Sequence, residues 1–208
     1  MLSYVMLSRQ HGAKPNMNKD EKERGMRILA FSGSLKADSS NTTLVRAIAA
    51  MAPRTMDVTI YNGLGSLPHF NPDLDGDDPP ASVADLREQL RTADGVLICT
   101  PEYAFGVPGS LKNALDWVVS SGEFAGKPVA VISASPSYMG GDKAHASLLL
   151  TLTAEAAMIV DGGTLIIPGV KKKLDANGEI TDPETARALQ SVLAALEQAI
   201  DAHQGIST

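Results

Sequence analysis

Five short apolar runs, most of them followed after a turn by a stretch of helical periodicity, constrain most strongly what this chain can fold into. They are Arg27-Ile-Leu-Ala-Phe-Ser32, Met56 to Tyr61, Gly95-Val-Leu-Ile-Cys-Thr100, Pro128-Val-Ala-Val-Ile-Ser133 and Gly163 to Ile167. Runs this short and this apolar read as strands buried on both faces of a parallel sheet. Between them the spacing predicts helices. One is capped by Ser40 or Asn41, with Leu44, Val45, Ile48, Ala49 and Met51 as its stripe; one runs from Ser82 to Ala93, one from Ser110 to Val119, one from Lys143 to Ala157, and one from Asp182-Pro183 to near His203.

Strands alternating with helices make a doubly wound α/β sheet the economical solution. Five strands favour a flavodoxin-like three-layer sandwich with strand order 2-1-3-4-5 over a longer dinucleotide fold. The expected organisation is a flexible N-terminal extension over residues 1–25, one domain over 26–203 and a tail over 204–208. Asn62 to Pro80, rich in Gly, Pro and Asp, reads as a long loop of functional or interfacial kind.

The formal charge of −6 over 208 residues opposes a nucleic-acid role, which needs a basic stripe. No apolar run reaches the length of a membrane span. The one cysteine, Cys99, leaves no disulfide framework and no cysteine cluster, so a cytoplasmic setting is expected and Cys99 reads as a small buried hydrophobe. No metal spacing and no Ser/His/Asp set can be read, and the Asp73 to Asp78 cluster lacks the glycine and glutamate of a calcium loop.

Ligands of such sheets bind beyond the carboxyl ends of the strands, so three loops matter. The first, Ser32-Gly-Ser-Leu-Lys-Ala-Asp-Ser-Ser-Asn-Thr-Thr43, joins a buried strand to a helix start. It carries hydroxyls, free amides and one lysine, the donors a phosphate monoester needs. Ser32, Ser34, Lys36, Ser40, Asn41 and Thr42 are its candidate phosphate residues. It is neither a Walker loop nor a Gly-x-Gly-x-x-Gly turn.

The second loop and the helix after it read Thr100-Pro-Glu-Tyr-Ala-Phe-Gly-Val-Pro-Gly109 and Ser110-Leu-Lys-Asn-Ala-Leu-Asp-Trp117. This stretch resembles the Pro-Glu-Tyr-Asn…Pro-Gly-x-Leu-Lys-Asn-Ala-x-Asp-Trp signature of the NADPH-dependent FMN reductase family. Gly33 to Asn41 is similar to that family's phosphate loop, and Leu67 to Leu74 to its Leu-Pro-x-x-Asn-Pro-Asp loop, so the resemblance covers about residues 26–200.

The resemblance implies noncovalent FMN, with the Pro101, Glu102, Tyr103 and Ala104 backbone along the ring edge. It also places Ser133, Ser135, Gly140 and Gly141 of the third loop beside the flavin. NADPH or NADH is the implied co-substrate and a quinone, flavin, azo compound or metal oxyanion the acceptor, with ping-pong turnover and no catalytic side chain. A homodimer or homotetramer is implied as well. The rival readings are a flavodoxin-like electron carrier and a non-catalytic flavin-binding protein. The chain departs from the family pattern in having Lys36 for arginine, Ala104 for asparagine, and Pro136 and Tyr138 in the small-residue loop. Trp117 reads as a helix-packing residue, and Lys112 with Asp116 as a surface pair.

Overall fold

The computed structural model describes residues 25–206, and nearly all of the expected N-terminal extension lies outside the described residues. The strands are β1 (Met26–Ser32), β2 (Met56–Ile60), β3 (Gly95–Thr100), β4 (Pro128–Ser135) and β5 (Met158–Pro168). They form one parallel sheet in the order β2-β1-β3-β4-β5. The helices are α1 (Ser40–Met51), α2 (Ala81–Thr92), α3 (Gly109–Asp116), α4 (Asp142–Ala154) and α5 (Pro183–Ile206).

Successive residues of a strand face opposite sides, and the core divides accordingly. Ile28, Ala30, Leu97, Cys99 and Ile132 pack with α1 and α5; Leu29, Phe31, Ile98, Val129 and Val131 pack with α2, α3 and α4. Every residue of the central strand β3 is buried. Burial of a large aliphatic side chain contributes about 1.5–3 kcal/mol, so this double-sided core holds the sheet together.

Several expected boundaries move, each for a local reason. β2 is an edge strand and leaves Asp57 and Thr59 exposed, so it is not buried on both faces. β5 starts at Met158 rather than Gly163. Its Asp161-Gly162-Gly163 segment bulges between the pairs Val129–Ile159 and Val131–Thr164, and this insertion reads in sequence as a turn. The cap of α1 is Ser39, whose Oγ accepts the Asn41 N–H at 3.2 Å, and neither Ser40 nor Asn41 fills that position. α2 begins after Pro80 with no side-chain cap, and Ser82 lies within its first turn. α3 stops at Asp116, short of Val119.

The parallel register brings the carboxyl ends of β1, β3 and β4 to one edge, with Ser32 beside Cys99 and Thr100 beside Ser133. Gly33 fits there because a Cβ would lie 2.8 Å from Thr100 Oγ1 and 3.1 Å from Leu111. The long 62–80 loop is strapped to the domain near this edge. Asn113 Nδ2 and Trp117 Nε1 both donate to the Pro68 carbonyl, at 2.9 and 2.8 Å, while Asn113 Oδ1 accepts the Phe70 N–H at 2.7 Å. Arg87 closes the far end on Asp75 at 2.5 Å. Trp117 is thus a buried packing residue with a second task, and Lys112 pairs with Asp116 as the four-residue spacing predicts.

Candidate functional site at the carboxyl edge of the sheet

The first loop is a cradle of donors. Ser32 Oγ and Thr42 Oγ1 share a hydrogen bond of 2.8 Å, and Ser34 Oγ lies 3.4 Å from Tyr103 Oη, which joins the first loop to the second. The backbone N–H groups of Leu35, Ala37, Asp38 and Ser40 have no partner among the described residues, and the Lys36 ammonium is exposed and unpaired there. Free amides at the start of a helix of this length, with a cation beside them, favour an oxyanion.

Asn41 also has a structural task. It is buried, its Nδ2 donates to the Ala134 carbonyl at 3.1 Å and its Oδ1 accepts from the Cys99 thiol at 3.2 Å. Its side chain therefore ties the start of α1 to β3 and β4, and its amide oxygen and nitrogen are already engaged. Burial pushes the Cys99 thiol far above its ordinary range, as expected of an inert small hydrophobe.

In the second loop, Tyr103 and Gly106 exchange backbone hydrogen bonds at 3.0 and 3.0 Å, which makes 103–106 a two-residue hairpin. Both central residues have positive φ, 49° at Ala104 and 60° at Phe105. That geometry favours glycine or asparagine, and alanine there costs about 1–2 kcal/mol. The asparagine of the family signature thus has a backbone reason. Ala104→Asn is expected to stabilise the protein by about 0.5–1 kcal/mol, seen as a rise in Tm of about 2 °C. An unchanged or lower Tm would count against it.

Glu102 links the second loop to the third. Its Oε2 accepts the N–H groups of Lys143 and Ala144 at 2.9 and 3.0 Å. α4 starts from Gly141, which has no side chain to cap it, so a carboxylate 41 and 42 positions before the two amides serves instead. Glu102→Ala is expected to cost about 1 kcal/mol of stability and to loosen the Gly140-Gly141 turn, while Glu102→Gln keeps one acceptor and most of the effect. Thermal unfolding of the two variants side by side checks this; equal losses would show that the cap is not what Glu102 supplies.

In the third loop Ser135 Oγ accepts the Ser137 N–H at 3.2 Å and donates to Ser137 Oγ at the same distance. Gly140 and Gly141 have φ of 65° and 87°. A Cβ on Gly141 would touch Glu102 and Ser133 at 3.4 and 3.5 Å, so this turn closes over the end of β4. The Ser133 hydroxyl is fully buried beneath it with no hydrogen-bond partner, and His145 Nδ1 in the first turn of α4 is likewise unpartnered. Desolvation by burial lowers the pKa of His145 below its ordinary value. Sequence reasoning missed the tying roles of Asn113 and Glu102, because each acts on a segment distant in sequence.

Among the described residues no cluster of three or more His, Cys, Asp or Glu could hold a metal ion, and no helix is long and apolar enough to cross a membrane. The residues present fit a flavin phosphate instead: unpaired amides and a free ammonium on one loop, an orphaned buried hydroxyl beside glycines on another.

Comparison with known proteins agrees with this geometry. The family model for NADPH-dependent FMN reductases matches residues 26–172. A quinone reductase from Escherichia coli (strain K12) is 33% identical over 179 residues, covering 84% of this chain and 95% of the relative. An NAD(P)H-dependent FMN reductase from Pseudomonas aeruginosa is 31% identical over 83% of this chain and 94% of its own length. Among solved structures, FerB, a flavoenzyme NAD(P)H:(acceptor) oxidoreductase from Paracoccus denitrificans, superposes with a TM-score of 0.78. It is 32% identical and covers 86% of this chain and 98% of its own. Fold, loops and relatives converge on one assignment: this chain belongs to the NADPH-dependent FMN reductase family, oxidoreductases that work with FMN and NAD(P)H.

Proposed function

We propose that the protein passes electrons from NAD(P)H, through noncovalently bound FMN, to a small acceptor of the quinone class, with flavins, azo compounds and metal oxyanions as further candidates. The observation that carries this reading is the gathering of three donor-bearing loops at one sheet edge, pinned to each other through Ser34–Tyr103 and Glu102–Lys143. Bound FMN would supply the hydride-accepting and electron-donating chemistry that no side chain here provides.

The chain's own residues would bind and orient. Ser34, Lys36 and the free amides of Leu35, Ala37, Asp38 and Ser40 would hold the phosphate, with Ser32 and Thr42 bracing the loop. The unpaired amides of Ala104 and Phe105 and the edge formed by Pro101 to Ala104 would face the ring, with Ser133, Ser135 and the Gly140-Gly141 turn beside it. Tyr103, Phe105 and Tyr138 stand exposed around this edge. They would frame one opening used in turn by nucleotide and acceptor, hence ping-pong turnover, and give a second copy of the chain an apolar rim on which to form a homodimer or homotetramer. A reducing cytoplasm is the proposed setting for this chemistry.

The test is the visible spectrum of the purified protein with added FMN, then with NADPH or NADH under anaerobic conditions. A bound flavin spectrum that bleaches within seconds and returns on adding a quinone is the expected result. Bound flavin that neither nucleotide bleaches would make the protein an electron carrier.

A further inference from the structure

A second feature adjoins the first loop and the start of α1. A cleft of about 550 Å³ opens beside the first turns of α1. One wall is Ala37, Asp38 and Ser40 of the first loop with Thr43 and Arg46 of α1; the other is Lys171 and the hairpin from Leu174 to Gly178.

That hairpin is a built wall. Leu174 bridges Ile180, and Asp175 Oδ1 accepts the N–H groups of Asn177 and Glu179 at 2.8 and 2.8 Å. Its tip rests on α1: Gly178 has φ of 83°, and a Cβ there would come within 2.7 Å of Thr43 Cγ2. Its base is anchored by Lys173, which donates to Asp182 at 2.8 Å and to Thr185 at 2.9 Å.

The lining carries the carboxylates of Asp38 and Asp175 as well as two cations. One oxygen of Asp175 is turned into its own hairpin. Arg46 and Lys171, from opposite walls, make no ion pair or side-chain hydrogen bond among the described residues. Leu174, Ala37 and Ala176 add apolar groups to the same lining. Two unpaired cations with apolar groups in the same lining suit a phosphorylated nucleoside, and an arginine beside the ribose is how nucleotide sites accommodate a 2′-phosphate.

We propose that this cleft takes the adenosine 2′-phosphate end of NADPH, with Arg46 and Lys171 on the 2′-phosphate and Asp38 accepting from a ribose hydroxyl or the adenine amino group, and that it sets a preference for NADPH over NADH. The inference rests on the reductase reading, since it concerns the nucleotide that supplies the electrons.

The experiment uses FMN-loaded protein, ferricyanide as acceptor, and the variants Arg46→Ala, Lys171→Ala and the pair. In the double variant the KM for NADPH is expected to rise at least tenfold, with kcat and the KM for NADH unchanged. Calorimetric titration supplies a readout independent of turnover. 2′,5′-ADP is expected to bind the wild type at least tenfold more tightly than 5′-ADP, and the double variant is expected to lose that difference. Arg46→Glu alone should reverse the preference toward NADH. Unchanged NADPH kinetics in the double variant, with the wild-type flavin still bleached by NADPH, overturns the cleft assignment and leaves the reductase reading standing. A wild-type flavin that neither nucleotide bleaches overturns the reductase reading and the cleft assignment with it.

Discussion

Gly140→Ala is expected to lower the free energy of unfolding by about 3 kcal/mol, the sum of about 1–2 for a left-handed alanine and about 1–3 for forced overpacking. At φ of 65° a Cβ on residue 140 would lie 2.6 Å from Ile166 Cγ2, 2.9 Å from the Pro168 nitrogen and 3.0 Å from the Ile167 carbonyl carbon. Two of these atoms are backbone of β5, so relief requires the third loop to lift off the end of the sheet. For a domain of this size the loss corresponds to a fall in Tm of about 6–12 °C. Gly169→Ala separates the two causes, because residue 169 has φ of 63° but nothing within 4 Å of its Cβ position. It is expected to pay only the backbone cost, about 1 kcal/mol. Equal losses at the two positions in urea unfolding would mean that close packing at Gly140 contributes nothing. The Gly140 variant is also expected to bind FMN more weakly than the Gly169 variant, since only residue 140 sits in the turn beside Ser133.

The second large effect is a dependence of stability on pH, set by Glu155. This residue follows α4, is buried, and has both carboxylate oxygens without a hydrogen-bond partner. Desolvation, opposed by Lys112 and reinforced by Asp116 and Glu123, pushes its pKa up to about 8. The folded state therefore holds this proton more tightly than the unfolded chain. The contribution is fully present below the ordinary glutamate pKa of about 4.5 and is lost as pH rises toward 8. His145 acts in the opposite sense: its folded pKa is lowered, so its contribution is lost as pH falls below about 6.5. The two oppose each other on the acid side, and the Glu155 slope dominates the pair as pH rises above 6.5. Stability is expected to fall by about 1–2 kcal/mol between pH 6.5 and 8, and Glu155→Gln to remove most of that fall. Urea midpoints of the two proteins at both pH values decide it; parallel pH profiles would rule Glu155 out as the source.

Much of the fold was legible because buried parallel strands leave an unusually plain mark. Ile28 to Phe31, Val96 to Cys99 and Val129 to Ile132 are continuous apolar runs because both faces of each are covered. The edges were harder to read. β2 alternates because helices do not cover it fully, and the Asp161-Gly-Gly bulge of β5 looks like a turn until Met158 and Ile159 are seen to pair with Pro128 and Val129. The cap of α1 slipped by one residue because Ser39, Ser40 and Asn41 are all good caps, and only the direction of the Ser39 hydroxyl distinguishes them.

The site was legible as three loops and one signature, and the sequence by itself determined which segments would meet: strand order follows from short right-handed crossovers, and the meeting point from where that order reverses. Only the tertiary structure decided what each side chain does there. Asn41, a phosphate candidate by composition, ties α1 to β3 and β4, while Glu102, a ring-edge candidate by signature, caps α4. Local patterning fixes periodicity and turns over a few residues, but a side-chain hydrogen bond across 41 or 93 positions depends on register and helix placement that no local window contains.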